Sequence, residues 1–480
     1  MIGKIANWPG ERTALEFRNG RLTYAELVEA VELRAAWLRA QKVSRVALMM
    51  DNTPEWVLFD LACQQAGVCC VPVPGFFSAT QLCHLFEQAG IELLLKDSAA
   101  AELPAAEVVC LFDGIYAFRF SPLWEPLIPH GCEKITFTSG STGAPKGVCL
   151  STASQWQVAE SLVKQVGLEQ VRHLCLLPLP TLLENIAGVY APLLAGGTVV
   201  LASEEMRGFA GSRLVKPESL LKLLVDTHPH TLILVPELLN ILLTAAQSGW
   251  QPPTSLKFIA VGGAHVASEL LERAQALNLP VYQGYGLSEC VSVTALNLPT
   301  NVQPSSAGVP LNHNILAIEN GEVVVQGNLF LGYLNEPDSF YPTKVKTGDL
   351  GSFAGDFLHI DGRRKNLLIN SFGRNISPEW IEAELMASGF FLQVMVAGDA
   401  MPHCVALLVP MSDSLSEQHI QQAVMQVNQR LPDYAQICNW LQVAPFSAQQ
   451  GQLTQNGKLK RAAILARYQN DLNALYRLQA

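Results

Sequence analysis

The sequence predicts an α/β protein: a large N-terminal domain of mixed, mostly parallel sheets with flanking helices, followed by a small, mobile α+β C-terminal domain. Three observations predict it. Apolar β-runs alternate with helical stripes from residue 22 to residue 283, a pattern that implies right-handed crossovers and parallel strands. Glycine-rich turns follow several of these runs, and open α/β sheets bind ligands at the carboxyl ends of their strands. Beyond Gly321 the texture changes to short β-runs with tight turns, and after Arg364 to a compact α+β pattern. The expected domains are 1–364 and 365–480, both within the range over which domains build their own cores.

The elements follow in order. Thr23 caps a helix and Glu26 completes a capping box, after which Leu27, Ala30, Val31, Ala35 and Leu38 form one helical face. Residues 46–50 are a β-run broken by Asp51-Asn52-Thr53-Pro54; residues 56–67 return to helix and 68–73 to strand. Strands are expected at 173–180, 198–202, 231–235, 256–261 and 280–283, with helices at 237–247 and 267–277. In the C-terminal unit, Ser377 at the N-cap and Pro378 at N1 start a helix. Strands at 392–397 and 405–409 and a helix at 416–430 complete it.

Composition excludes several function classes. The chain has 480 residues, 49% apolar and 15% charged, enough for a sizeable core and far from the balance of a disordered chain. A net charge of −10 argues against nucleic-acid partners, which demand basic patches. The 11 cysteines are odd in number and none forms a CxxC pair, as expected of buried free thiols in a reducing compartment. No apolar segment at the N-terminus reads as a signal peptide and none reaches transmembrane length, so a cytoplasmic location is expected.

One stretch carries most of the chemistry. The β-run at 135–137 breaks into Thr138-Ser139-Gly140-Ser141-Thr142-Gly143-Ala144-Pro145-Lys146-Gly147. Glycines let the backbone approach a ligand, successive amides and hydroxyls cradle an anion, and Lys146 supplies charge. This is chemistry for nucleotide phosphates. It is not a Walker A element, because Lys146 follows Pro145 and precedes Gly147 rather than opening a helix.

That loop resembles the phosphate loop of the adenylate-forming superfamily, which includes the acyl-CoA synthetases, and further motifs follow in that family's order. Tyr285-Gly286-Leu287-Ser288-Glu289 resembles its Tyr-Gly-x-Thr-Glu; Thr347-Gly348-Asp349 matches its Thr-Gly-Asp. Asp361-Gly362-Arg363-Arg364-Lys365 resembles its hinge block, with Asn366 where aspartate is common. Thr454-Gln455-Asn456-Gly457-Lys458 resembles its terminal catalytic motif. The resemblance spans residues 22–461.

The resemblance implies an ATP-dependent acid–thiol ligase that forms acyl-AMP and passes the acyl group to CoA. Lys458, Glu289 and Thr138 would be catalytic, with Glu289 also holding Mg²⁺. Ser139, Gly140, Ser141, Thr142, Gly143, Lys146, Gly263, Ala264, Tyr285, Gly286, Ser288, Asp349 and Arg363 would bind the nucleotide, and Lys365 would be the pivot. His265, just past Gly263, reads as an ordinary surface residue, and Lys460 and Arg461 as solvated charges. Thr181 stands where the family commonly has histidine or an aromatic residue.

Thr181, Leu182, Leu183, Val235, Val261 and Gly262, with Leu238, would line the acid pocket. This apolar set and the wording of 370–379 favour a medium- or long-chain fatty acid. The alternatives are an aryl acid, a carrier-protein phosphopantetheine as acceptor in place of CoA, and a catalytically silent nucleotide sensor. Glu184 matches a glutamate of long-chain members or is a polar helix residue. The expected partners are a small carboxylic acid, ATP and CoA.

Overall fold

The computed structural model describes residues 2–75, 77–98, 107–112, 114–138, 145–211, 213–412, 414–454 and 457–477. Two large sheets organise the N-terminal domain. The eight-stranded sheet runs in the order Gly332–Tyr333, Lys146–Leu150, Lys134–Thr138, Cys69–Pro72, Arg45–Met49, Leu93–Lys96, Ile115–Arg119, Glu107–Phe112. Its centre is parallel, and antiparallel pairs flank it. The nine-stranded sheet has a parallel centre in the order Phe258–Val261, Thr231–Leu234, Arg172–Cys175, Thr198–Leu201. A four-stranded antiparallel sheet spanning 314–363 follows. The smaller C-terminal domain is built on a three-stranded sheet, Phe391–Ala397, Cys404–Pro410 and Ile437–Gln442, with a core of its own.

Local chemistry explains the elements. Thr23 and Glu26 form the expected reciprocal capping box at the start of helix Tyr24–Gln41. Helix Pro54–Ala66 begins two residues earlier than its apolar stripe suggested, because Thr53 accepts from the Trp56 amide and Pro54 fits the first turn. Ser377 does precede helix Pro378–Ala387, yet its hydroxyl makes no backbone cap and donates to Glu379 at 3.3 Å instead.

Three departures from the sequence reading stand out, besides the strand expected at 173–180, which ends at Cys175. The strand expected at 280–283 continues as Val281–Leu287, turning antiparallel to Ser292–Leu296. Residues 184–190 form a π-helix, an arrangement concentrated at functional sites. The third departure is the hairpin of strands Glu107–Phe112 and Ile115–Arg119, which the alternation did not suggest.

The π-helix lies over a buried polar cluster at the root of the phosphate-loop hairpin. Lys134 pairs with Asp60 at 2.7 Å, each 1% exposed. Asp60 also accepts from Tyr190 at 2.6 Å and Asn185 at 3.1 Å, and Tyr190 stacks on Trp156 with centroids 4.9 Å apart. A buried ion pair is tolerable only when its remaining polar atoms are bonded, and here they are. Glu184, fully buried, accepts from the Leu177 amide at 3.1 Å and pairs with His173 at 2.9 Å. It is an internal brace, not a pocket residue.

Candidate active site

Strands Lys134–Thr138 and Lys146–Leu150 form the hairpin that brackets the phosphate loop, with Thr138 directly opposite Lys146. Ser139, Gly140, Ser141, Thr142 and Gly143 lie outside the described residues. Lys146 points along the hairpin to Glu336 at 2.8 Å, with its ammonium 4.9 Å from the centre of the Tyr333 ring. Tyr333 reaches this position because its short strand pairs with Val148. Its hydroxyl donates to Glu289 Oε1 at 2.8 Å. Glu289 Oε2 has no protein partner among the described residues. One aromatic side chain therefore ties the loop lysine to the carboxylate of the second signature.

The second signature is shaped by a close backbone crossing. A Cβ on Gly286 would sit 1.7 Å from the Ser292 carbonyl oxygen, so only glycine allows the strand to turn there. Ser288 and Glu289 follow in a short 3₁₀ turn. Val291 then takes φ +59° and Ser292 φ +94°, conformations that cost a β-branched or ordinary residue free energy and concentrate at functional sites.

Gly262, Gly263 and Ala264 emerge from Phe258–Val261, the strand beside it, whose Val261 pairs with Gln283. Gly263 and Ala264 are exposed, and Val235 abuts Gly263. The two strand ends thus open side by side, the placement expected of a ligand cleft.

Asp349 connects this wall to the hinge strand. Its Oδ2 accepts from the Tyr285 hydroxyl at 2.7 Å and its Oδ1 pairs with Arg363 Nε at 2.7 Å. Burial raises the carboxyl's pKa against the opposing pull of Arg363, and pushes the Tyr285 phenol well up, reinforced by Asp349.

Lys458 arrives from the opposite end of the chain. Its backbone is fixed by a turn in which its amide donates to Thr454 Oγ1 at 2.9 Å, and its side chain remains exposed at the cleft. The surrounding protein and the nearby Arg363 lower its pKa, while Asp349 and Glu289 pull it the other way. Desolvation and Arg363 also lower the pKa of Lys365, which is exposed beside them. The sequence motifs at 285–289, 349, 363 and 458 converge on one place.

Several residues behave differently from the sequence reading. Leu182, Leu238 and Val261 are 7%, 3% and 1% exposed and pack within the cores, so they do not face an open cleft. Thr181 is exposed and Leu183 half-buried. Arg461 is no solvated charge: it is bonded to the buried Glu382, with Glu379 at 3.9 Å. His265 is half-buried, its pKa lowered by desolvation and pulled up by Glu379 across the domain interface. Asn366, the departure in the hinge block, donates to Glu379, a contact that an aspartate would turn into repulsion.

Tyr333 and Glu336 escaped sequence reasoning. An aromatic residue and an acid in the turn Tyr333-Leu334-Asn335-Glu336-Pro337 carry no spacing signal that singles them out.

Comparisons with known proteins place the chain among similar sequences and folds. A family model described as AMP-binding enzyme matches residues 4–334, and one described as AMP-binding enzyme C-terminal domain matches 365–480. The 2-succinylbenzoate–CoA ligase of Bacillus velezensis is 28% identical over 438 residues, covering 84% of this chain and 86% of that protein. A feruloyl-CoA synthase from an Amycolatopsis species is 29% identical over 419 residues, covering 79% and 82%.

Among solved structures, the O-succinylbenzoate coenzyme A synthetase of Bacillus subtilis, in complex with ATP and magnesium ion, superposes with a TM-score of 0.76. It is 25% identical, and the match covers 96% of this chain and 98% of that one. An anthranilate CoA ligase in complex with anthranoyl-AMP gives 0.80 at 17% identity, covering 97% and 96%, which shows a shared fold. The chain belongs to the AMP-binding enzyme family.

Proposed function

We propose that this protein is an AMP-forming acid–CoA ligase whose acid is aromatic. The observation that carries the proposal is the convergence of Tyr285, Asp349 and Arg363, of Glu289, and of Lys458 on one cleft from three parts of the chain. In the first half-reaction the acid's carboxylate oxygen attacks the α-phosphorus of ATP, forming acyl-AMP and breaking the bond to pyrophosphate. Two anions must approach, so fixed positive charge at the transition state lowers the barrier; Lys458 and Lys146 supply it. Asp349, with both oxygens positioned by Tyr285 and Arg363, is set to accept hydrogen bonds from the ribose.

A magnesium ion fits the donor set, because Glu289 offers a hard carboxylate oxygen that has no protein partner among the described residues, near the phosphate-loop lysine. When bound, the ion neutralises phosphate charge. Residues 365–480 then rotate about Lys365, withdraw Lys458, and a thiol attacks the acyl carbon to release AMP. CoA is the thiol that the relatives' names support.

The fatty acid favoured by the sequence gives way to an aryl acid for two reasons. The relatives reported above act by name on ring-bearing acids, and Leu182, Leu238 and Val261 pack in the core rather than form a channel. ATP–pyrophosphate exchange with matched panels of aromatic and aliphatic acids tests the proposal. Exchange dependent on aromatic acids is expected; exchange with long-chain aliphatic acids alone would restore the fatty-acid reading, and no exchange with any acid would favour a nucleotide sensor.

A further inference from the structure

Helix Pro378–Ala387 of the C-terminal domain docks on the N-terminal domain through two small residues one turn apart. Ala383 and Ala387 pack into the same apolar cluster as Leu239, Leu242 and Leu270. Beside them Glu384, 2% exposed, turns its Oε1 to the Ser268 amide and hydroxyl, both at 3.1 Å. Ser268 opens helix Ser268–Ala276, whose own N-cap position, Ala267, has no side chain able to bond the free amides. The cap is therefore supplied by the other domain.

The exchange is reciprocal. The last carbonyls of the docking helix, on Met386 and Ala387, accept from Asn240 Nδ2 at 3.3 Å and Arg273 Nη1 at 3.1 Å. Arg273 is steadied by Asn240 Oδ1 at 2.8 Å, and Arg430 lies 3.4 Å from Glu269 along the same seam.

The start of one helix and the last carbonyls of the other thus bond across the domain boundary, in the arrangement that brings Lys458 to Asp349 and Glu289. We infer that this cross-cap, centred on Glu384 and Arg273, is a latch that holds the chain in its adenylating arrangement and must release before the thiol half-reaction. The latch is built to let go. Glu384 Oε2 is buried without a partner among the described residues, a cost that rotation into water relieves, and every bond in the seam has a substitute in solvent. Glu384 is a positioning residue, since it acts on the reaction only by setting where Lys458 stands. The chemical wording rests on the ligase reading above; the latch itself does not.

Glu384→Ala should slow acyl-AMP formation about tenfold, leave thioester formation from supplied acyl-AMP unchanged or faster, and enlarge the unliganded protein in small-angle scattering. Glu384→Gln, which keeps an accepting oxygen, should restore adenylation. Arg273→Ala, at a half-exposed position, should reproduce the split between half-reactions if Glu384→Ala does not fold. Equal losses in both half-reactions, or unchanged adenylation with unchanged scattering, would overturn the latch. Absence of acid-dependent exchange in the unmodified protein would overturn the ligase reading instead, with scattering still deciding the latch.

Discussion

Asp349 and Lys458 meet at the same cleft but are held in opposite ways. Asp349 is 4% exposed and locked between Tyr285 and Arg363, so it has one available position. Lys458 has a fixed backbone turn and an exposed side chain, and its domain meets the other through small alanines and exchanged helix caps. The contrast teaches how the work is divided. The wall that recognises a nucleotide is preorganised by burial, while the cation that serves the first half-reaction is brought in on a part that can leave.

The comparison breaks most sharply at Lys458. Lys458→Ala should reduce acyl-AMP formation about a hundred- to a thousandfold and spare thioester formation from preformed acyl-AMP. Single-turnover assays of each half-reaction measure the split. Its lowered pKa adds a sign: adenylation should fall on the alkaline side at a pH below that of an ordinary lysine, and Lys458→Arg should move the fall upward.

Arg461, three residues beyond, anchors that loop to Glu382. Burial raises the Glu382 carboxyl from 4.5 to about 7, against the opposing Arg461. The folded state then binds more protons than the unfolded one between these values. The stability of the C-terminal domain should accordingly decline as pH rises through that window, by at most about 3 kcal/mol, and Glu382→Gln should flatten the slope in denaturant titrations.

On the preorganised side, Asp349→Ala leaves Arg363 and Tyr285 without their shared partner. It should raise the KM for ATP about tenfold and lower the melting temperature, because charge-assisted bonds of this kind are worth roughly 1.5–3 kcal/mol. The smallest effect is expected at Tyr333→Phe. Loss of one hydrogen bond to Glu289 should cost adenylation about two- to tenfold, with a higher Mg²⁺ requirement and no change in the thiol half-reaction.

Much of this was legible in the chain. The capping box at Thr23, the β-run–helix alternation and the glycine turn after 261 are local signals, and local physics decides them. The motif residues 285–289, 349, 363 and 458 were singled out because they resemble one family's motifs and stand in that family's order, and the structure draws them close together. Tyr333, Glu336 and Glu384 could not. Each acts through a partner distant in sequence, and their geometry exists only once strand Gly332–Tyr333 pairs with Lys146–Leu150 or one domain docks on the other. Leu182 and Val261 misled for the same reason: apolar character does not say whether a residue faces a core or a cleft. Helices Arg461–Arg467 and Gln469–Arg477 were likewise passed over, their short stripes too weak to stand out beside the terminal motif.

No long apolar helix capable of crossing a membrane occurs among the described residues.

The most direct measurement is a crystal structure of the protein with a stable aryl-adenylate analogue. The adenosine and phosphate should contact Gly263, Tyr285, Asp349, Arg363 and the loop before Lys146 together, with Glu289 beside the phosphate. A nucleotide bound elsewhere, or one that leaves the Asp349–Arg363 pair facing solvent on the far side of the domain, would contradict it.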